Sequence, residues 1–190
     1  ELGREFASNL SSFKREDVAE FVASLKPPFT PTDEQIDAVY EGVRLGRRTL
    51  LSPTASGKSF IVYCLARWFL EFGVLAPKRV IIIVPLAGLV SQTLAAFHQY
   101  AASDDSFEPT TRVSTDRDSD ADIIITTWQS VYKREEDYFS QFGCVVGDEV
   151  HHFKAASLKS IMECSKRAAY RWGLTGTLDG VEVNELIVQG

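Results

Sequence analysis

Two short stretches carry residue types that make chemical sense together only if the chain handles a phosphorylated ligand. The first, LLSPTASGKSF from Leu50 to Phe60, ends in Gly57-Lys58-Ser59. A tight turn between a strand and a helix aims successive backbone N–H groups at one point, where the helix dipole also favours negative charge. A lysine there neutralises phosphate oxygens, and the hydroxyl after it can ligate Mg2+. The pattern G-x-x-x-x-G-K-[ST] asks for glycine at position 52, where this chain has Ser52. The scheme uses no side chain at that position, so a compact residue suffices at the strand exit. Gly57, where the backbone must approach the phosphates closely, is kept. By itself the stretch is either a phosphate cradle or a chance turn.

The second stretch is VVGDEVHHF, from Val145 to Phe153. An apolar strand delivers Asp148 and Glu149 side by side at its end. In phosphate-loop ATPases an acid so placed holds Mg2+, and hydrolysis needs a neighbouring carboxylate to orient or deprotonate the attacking water. Alone, Asp-Glu after a strand also reads as a helix N-cap with a charged first turn. A phosphate loop and a carboxylate pair on the same sheet edge favour the nucleotide-hydrolysing reading of both.

The elements needed to position these residues are visible along the chain. Arg48–Leu51, Arg79–Pro85, Asp122–Thr127, Cys144–Glu149 and Tyr170–Thr177 read as strands, most of them β-branched and apolar throughout. Phe60–Phe72, Leu86–Tyr100 and Ala155–Ser165 have helical length and spacing. Strand–helix alternation predicts an α/β fold, a parallel sheet covered by helices on both faces. Ligands bind such sheets beyond the carboxyl ends of the strands, where the polar clusters of this sequence fall. Glu1–Pro28 reads as a helical arm or the end of an upstream module. Ser103–Asp122, rich in aspartate, reads as a solvated loop without EF-hand spacing. Trp68, Trp128 and Trp172 read as core residues, His98 as a surface residue, and His152 as packing beneath the carboxylate pair.

Composition narrows the class further. With 190 residues, 45% hydrophobic and 11% aromatic, the chain can bury one domain-sized core. A net charge of −6 argues against a basic nucleic-acid-coating protein. Three widely spaced cysteines suggest neither a disulfide framework nor a zinc finger. No apolar run reaches membrane-spanning length, so no membrane partner and a cytoplasmic location are expected.

SPTASGKS, VPLAGLVSQ, TTWQS, DEVHH and GLTGT, in this order, resemble motifs I, Ia, Ic, II and III of the superfamily 2 DExH-box helicases. Within them the chain is most similar to the phage UvsW-type branched-DNA helicases. The resemblance covers about Phe29 to Leu178 and implies an N-terminal RecA-like domain. It implies ATP and Mg2+ as cofactors, and a phosphate cradle of Thr54, Ala55, Ser56, Gly57, Lys58 and Ser59. Ser59 and Asp148 would hold Mg2+, Glu149 would be the catalytic base, and His151 would link the ATP site to the nucleic-acid face. Gln35 would read adenine, with Phe29 stacking beside it. Pro85, Leu86, Gln92, Thr126 and Thr127 would face the tracked strand, and Thr175 and Thr177 would couple hydrolysis to domain movement.

The resemblance also implies partners and rivals. The implied partners are DNA, branched or at duplex–single-strand junctions, and a second RecA-like domain of the same polypeptide that supplies an arginine finger. Residues 179–190 would be the linker toward it, and the isolated domain would be nearly inactive. A restriction-endonuclease motor subunit shares the same core. The PT-x-x-Q-like Pro31-Thr32-Asp33-Glu34-Gln35 leaves an RNA helicase as another reading, which DEVHH and LTGT oppose. A nucleotide switch that does not translocate would have no need of Glu149.

Overall fold

The computed structural model describes residues 13–51, 57–73, 77–104, 107 and 111–176. Six parallel strands form one sheet: β1 (Arg47–Leu51), β2 (Val80–Val84), β3 (Val113–Ser114), β4 (Ile123–Thr127), β5 (Cys144–Gly147) and β6 (Tyr170–Thr175). Their spatial order is β1-β6-β5-β2-β4-β3. VIIIV and IIITT are buried at every residue, as strands covered on both faces must be. Successive side chains alternate between two cores. Val80, Ile82 and Val84 join one apolar cluster, and Ile81 and Ile83 join the other.

The first cluster lies under α1 (Arg15–Ser24), α2 (Asp33–Leu45), α3 (Lys58–Phe72) and α4 (Ala87–Tyr100). The second lies under α5 (Trp128–Val131), α6 (Glu136–Phe139) and α7 (Ala155–Cys164). Helix α3 is apolar nearly all round and is the central helix of its face. Trp68 and Trp172 are fully buried, and the Trp172 indole donates to the Gly42 carbonyl at 2.9 Å. Trp128 is half-buried, packed edge-on to Tyr132. Helix α1 buries Val18, Phe21 and Val22 in the same cluster as α2 and α3, and Arg15 pairs with Asp33 and Asp37.

Strands β2 and β5 form the middle seam of the sheet, in register from Val80↔Cys144 to Ile83↔Gly147. One more bond, Asp148 N–H to the Ile83 carbonyl at 2.9 Å, extends the seam to the start of the carboxylate pair.

The described part of the aspartate-rich segment is largely exposed or half-buried, as a solvated loop should be, with one regular element. It contains β3, which pairs with β4 through Val113↔Ile123 and Ser114↔Ile124. A two-residue strand is too short to leave a period in the sequence. Its carboxylates are met by arginines: Asp120 by Arg112, and Asp118 by Arg134. Among the described residues no cluster of His, Cys, Asp and Glu could hold a metal by itself, and no helix is long and apolar enough to cross a membrane.

Among the described residues, the Arg67–Asp104 ion pair is buried on both sides. Arg67 on α3 donates to Asp104 at 2.7 Å and to the Tyr63 hydroxyl at 2.9 Å, with the Phe107 ring 4.9 Å from its guanidinium carbon. Both charged side chains are only 9% exposed. Removing one partner leaves the other charge buried without its ion-pair counterpart. Arg67→Met is therefore expected to lower unfolding free energy by about 3–5 kcal/mol in urea titrations. Arg67→Met with Asp104→Leu should recover most of that loss, and an additive loss would contradict the coupling.

Candidate functional site

The strand order brings the carboxyl ends of β1, β6 and β5 side by side, so their exits share one site. β1 leads through the phosphate-loop segment into α3, whose N-cap Gly57 has φ 71° and ψ 44°. Glycine adopts this left-handed conformation freely. A side chain at Gly57 would also collide with the Gln35 amide nitrogen. Gln35 is held by a capping box at the start of α2: its Oε1 accepts from Thr32 N–H at 3.0 Å, and Thr32 Oγ1 accepts from Gln35 N–H. The motif thus places the Gln35 side chain against Gly57. Phe29, 40% exposed, stands edge-on to Phe60 and Tyr100 beside it.

Lys58 opens α3 and is buried, and its ammonium donates to Glu149 Oε1 across the sheet edge. The other oxygen, Glu149 Oε2, accepts from Gly176 N–H at 3.3 Å and lies 3.3 Å from His151 Nδ1. His151 Nδ1 is in turn 2.7 Å from the buried Thr175 hydroxyl. Lys58, Glu149, His151 and Thr175 therefore form one polar chain joining the exits of β1, β5 and β6. Burial, reinforced by His152, lowers the His151 pKa below its ordinary value, which keeps the ring neutral at pH 7.

The backbone at the carboxylate pair is tight. Glu149 has φ 50° and ψ 49°, a left-handed conformation that costs a non-glycine residue energy and that clusters at functional sites. It leads into a 3-10 turn over Val150–His152. A side chain at Gly147 would meet Val150 Cγ1 at 2.6 Å, so the turn closes directly on β5. His152 is exposed, and its ring is tilted against that of His151 with centroids 4.0 Å apart. Its exposure does not fit packing beneath the carboxylate pair.

Asp148 is the acid best suited to a cation. Its Oδ1 is buried without a hydrogen-bond partner, and burial, then the neighbouring Glu149 charge, pushes its pKa up to about 6. An orphaned buried carboxylate oxygen is costly unless a proton or a cation meets it. Ser59, one residue after Lys58, offers a hydroxyl, now 2.7 Å from the Tyr100 hydroxyl. One carboxylate and one hydroxyl fit Mg2+, which keeps several waters and takes its remaining ligands from phosphates. Thr54, Ala55, Ser56 and Thr177 lie outside the described residues.

The other half of the same edge belongs to β2 and β4, whose last residues pair as Ile83↔Thr126 and Val84↔Thr127. Pro85, Thr126 and Thr127 are buried, and Thr127 Oγ1 lies 2.9 Å from Ser130 Oγ. Gln129 donates to the Pro85 carbonyl at 3.2 Å, tying the two exits together. Leu86, 63% exposed, and Gln92 form the accessible part with the first turn of α4. Sequence reasoning missed Tyr100 and Gln129. Gln129 lies within the quoted TTWQS and could have been found there, whereas Tyr100 closes an ordinary amphipathic helix.

The raised Asp148 pKa has a consequence for stability. An unfolded aspartate titrates near 3.8 and the folded one near 6, so the folded protein holds a proton that the unfolded chain releases between those values. The associated stability is complete below the lower value and lost as pH rises through the upper one. In EDTA at pH 8, Asp148→Asn should therefore raise unfolding free energy by about 1–3 kcal/mol. At pH 4 the gain should nearly vanish. Urea titrations at both pH values check this, and an equal gain at both would contradict it.

Residues 19–180 match the family described as type III restriction enzyme, res subunit. The chain is 33% identical over 164 residues to the ATP-dependent DNA helicase uvsW of Enterobacteria phage T4, covering 79% of this chain and 30% of that protein. It is 28% identical over 145 residues to the DNA 3'-5' translocase XPB2 of Sulfurisphaera tokodaii, covering 76% of this chain and 30% of that protein. It thus spans about a third of the length of these curated relatives. The crystal structure of the phage T4 UvsW helicase superposes with a TM-score of 0.79 at 30% identity, over 93% of this chain and 66% of that one. The family match over most of the sequence, on this sheet and with this D-E-x-H edge, establishes that the chain is a RecA-like helicase domain of the type III restriction enzyme res-subunit family.

Proposed function

We propose that the chain is the first motor domain of an ATP-dependent DNA helicase or translocase that acts on branched DNA or duplex–single-strand junctions in replication, recombination or repair. The observation that carries this is the contact of Lys58, at the start of α3, with Glu149 of the carboxylate pair, beside the orphaned oxygen of Asp148. The names of the relatives, a DNA helicase and a DNA translocase, support the same reading. Its location would be cytoplasmic. The family description names a restriction-enzyme subunit, and nuclease activity in the full-length protein would favour that motor instead.

The chain's own groups suit ATP hydrolysis. Gln35, against Gly57, and Phe29, beside Phe60, would receive the adenine. Backbone amides at the start of α3, with Lys58, would bind the phosphates. Ser59 and Asp148 would hold Mg2+, which would neutralise charge developing on the phosphoryl group. For Lys58 to turn toward phosphate oxygens, its pair with Glu149 must part. Gly176 N–H and His151 then keep Glu149 Oε2 in place, and Oε1 is left to accept a proton from the attacking water. The neutral His151 ties this base to Thr175 on β6 without adding a charge that would compete with Lys58. On the β2–β4 half, Pro85, Leu86, Gln92, Thr126 and Thr127, with the backbone amides around them, would contact the strand without reading its sequence.

In the full-length protein, Glu149→Gln should leave ATP binding nearly intact and remove most turnover, because it deletes the base and keeps its size. Lys58→Ala should weaken nucleotide binding itself. Equilibrium binding and steady-state phosphate release separate the two, and a wild-type rate for Glu149→Gln would refute the base assignment. A second RecA-like domain would supply an arginine to the transition state, a contribution worth about 10³–10⁵ in rate. The 190-residue chain alone should therefore show almost no DNA-stimulated phosphate release compared with the full-length protein at matched low salt. Comparable rates would place the complete site within these residues.

A further inference from the structure

We propose that Tyr100 is a positioning residue that orients the Ser59 hydroxyl toward the cation accompanying the nucleotide, an inference that rests on the metal-binding reading of Ser59 and Asp148. Tyr100 lies outside all five motifs, as the last residue of α4. Its hydroxyl is 2.7 Å from Ser59 Oγ in the first turn of α3. Three aromatic neighbours hold the ring: Phe60 at 5.2 Å between centroids, Tyr63 at 5.6 Å and Phe29 at 5.9 Å. Phe60 and Tyr63 are fully buried, so the phenol oxygen is presented from a packed wall and not from a mobile side chain.

A serine hydroxyl has one hydrogen and two lone pairs. A cation can use Ser59 Oγ only if the hydrogen points away from it, and an acceptor on the opposite side fixes that direction. The contact with Tyr100 Oη, across which either hydroxyl can donate, offers Ser59 such an acceptor. With Ser59 donating to it, both Ser59 lone pairs stay available on the remaining side. Helix α4 begins just after Leu86 at the exit of β2 and ends at this hydroxyl, so one rigid element spans the two halves of the sheet edge.

The test measures binding of a fluorescent N-methylanthraniloyl-ADP to the full-length protein, in saturating Mg2+ and in EDTA. The readout is the ratio of the two dissociation constants. Tyr100→Phe keeps the ring and deletes the acceptor. Its affinity in EDTA should match wild type, and the tightening produced by Mg2+ should shrink about threefold to tenfold, the value of one hydrogen bond. In a Ser59→Ala background the same substitution should change nothing further. An unchanged Mg2+ ratio in Tyr100→Phe overturns the proposal, as does an equal loss in the Ser59→Ala background. A wild-type protein whose nucleotide affinity ignores Mg2+ would instead overturn the metal-binding reading of Ser59 and Asp148.

Discussion

The contact between Lys58 and Glu149 sets the terms for the rest of the molecule. It joins residues 91 apart in sequence. They meet because β6 lies between β1 and β5, bringing both exits within a side chain's reach. Glu149 must take a left-handed backbone to present its carboxylate, and Gly147 must lack a side chain for the turn to close. Two largely buried charges repay their desolvation only with good partners. Glu149 has them in Lys58, Gly176 N–H and His151. On the proposed function, an incoming phosphate would compete for Lys58 with higher charge, which would make the pair exchangeable.

The sheet and the two ends of this contact were legible in the sequence because they rest on strong local signals. VIIIV and IIITT are too apolar for a surface and too short for helices, and Gly57-Lys58-Ser59 and Asp148-Glu149 mark the exits. What stayed hidden depends on pairings between distant side chains. The Ser59–Tyr100 contact joins two hydroxyls 41 residues apart, and Arg67–Asp104 puts two charges inside stretches that read as a buried helix and the edge of a polar loop. The aspartates of Ser103–Asp122 looked like solvated charge. Knowing that Arg112 and Arg134 face them required the fold that brings those arginines back. Gln35 lay between these cases: its Thr32 capping box is a local pattern, but its position against Gly57 is not.

The chain is acidic, yet the exit of β2 carries no charged residue from Val84 to Gln92. A neutral surface of backbone amides and short side chains neither repels a phosphate backbone nor holds it by bulk charge. If this surface contacts a nucleic-acid strand as proposed, affinity would depend on hydrogen-bond geometry more than on bulk charge.

The division of the edge gives the β2–β5 seam a mechanical meaning. Tension on a strand held at β2 and β4 can reach the Lys58–Glu149 half of the sheet only through β5 or through the helices. The seam is a parallel ladder from Val80↔Cys144 to Ile83↔Gly147, with the Asp148 N–H bond at its upper end. Pulling along the strand axes loads these bonds together in shear, whereas peeling would open them one at a time. A sheet whose two halves meet along such a ladder is stiff along its strands. Asp148, at the top of the ladder, would feel any displacement of β2 before the rest of the site does.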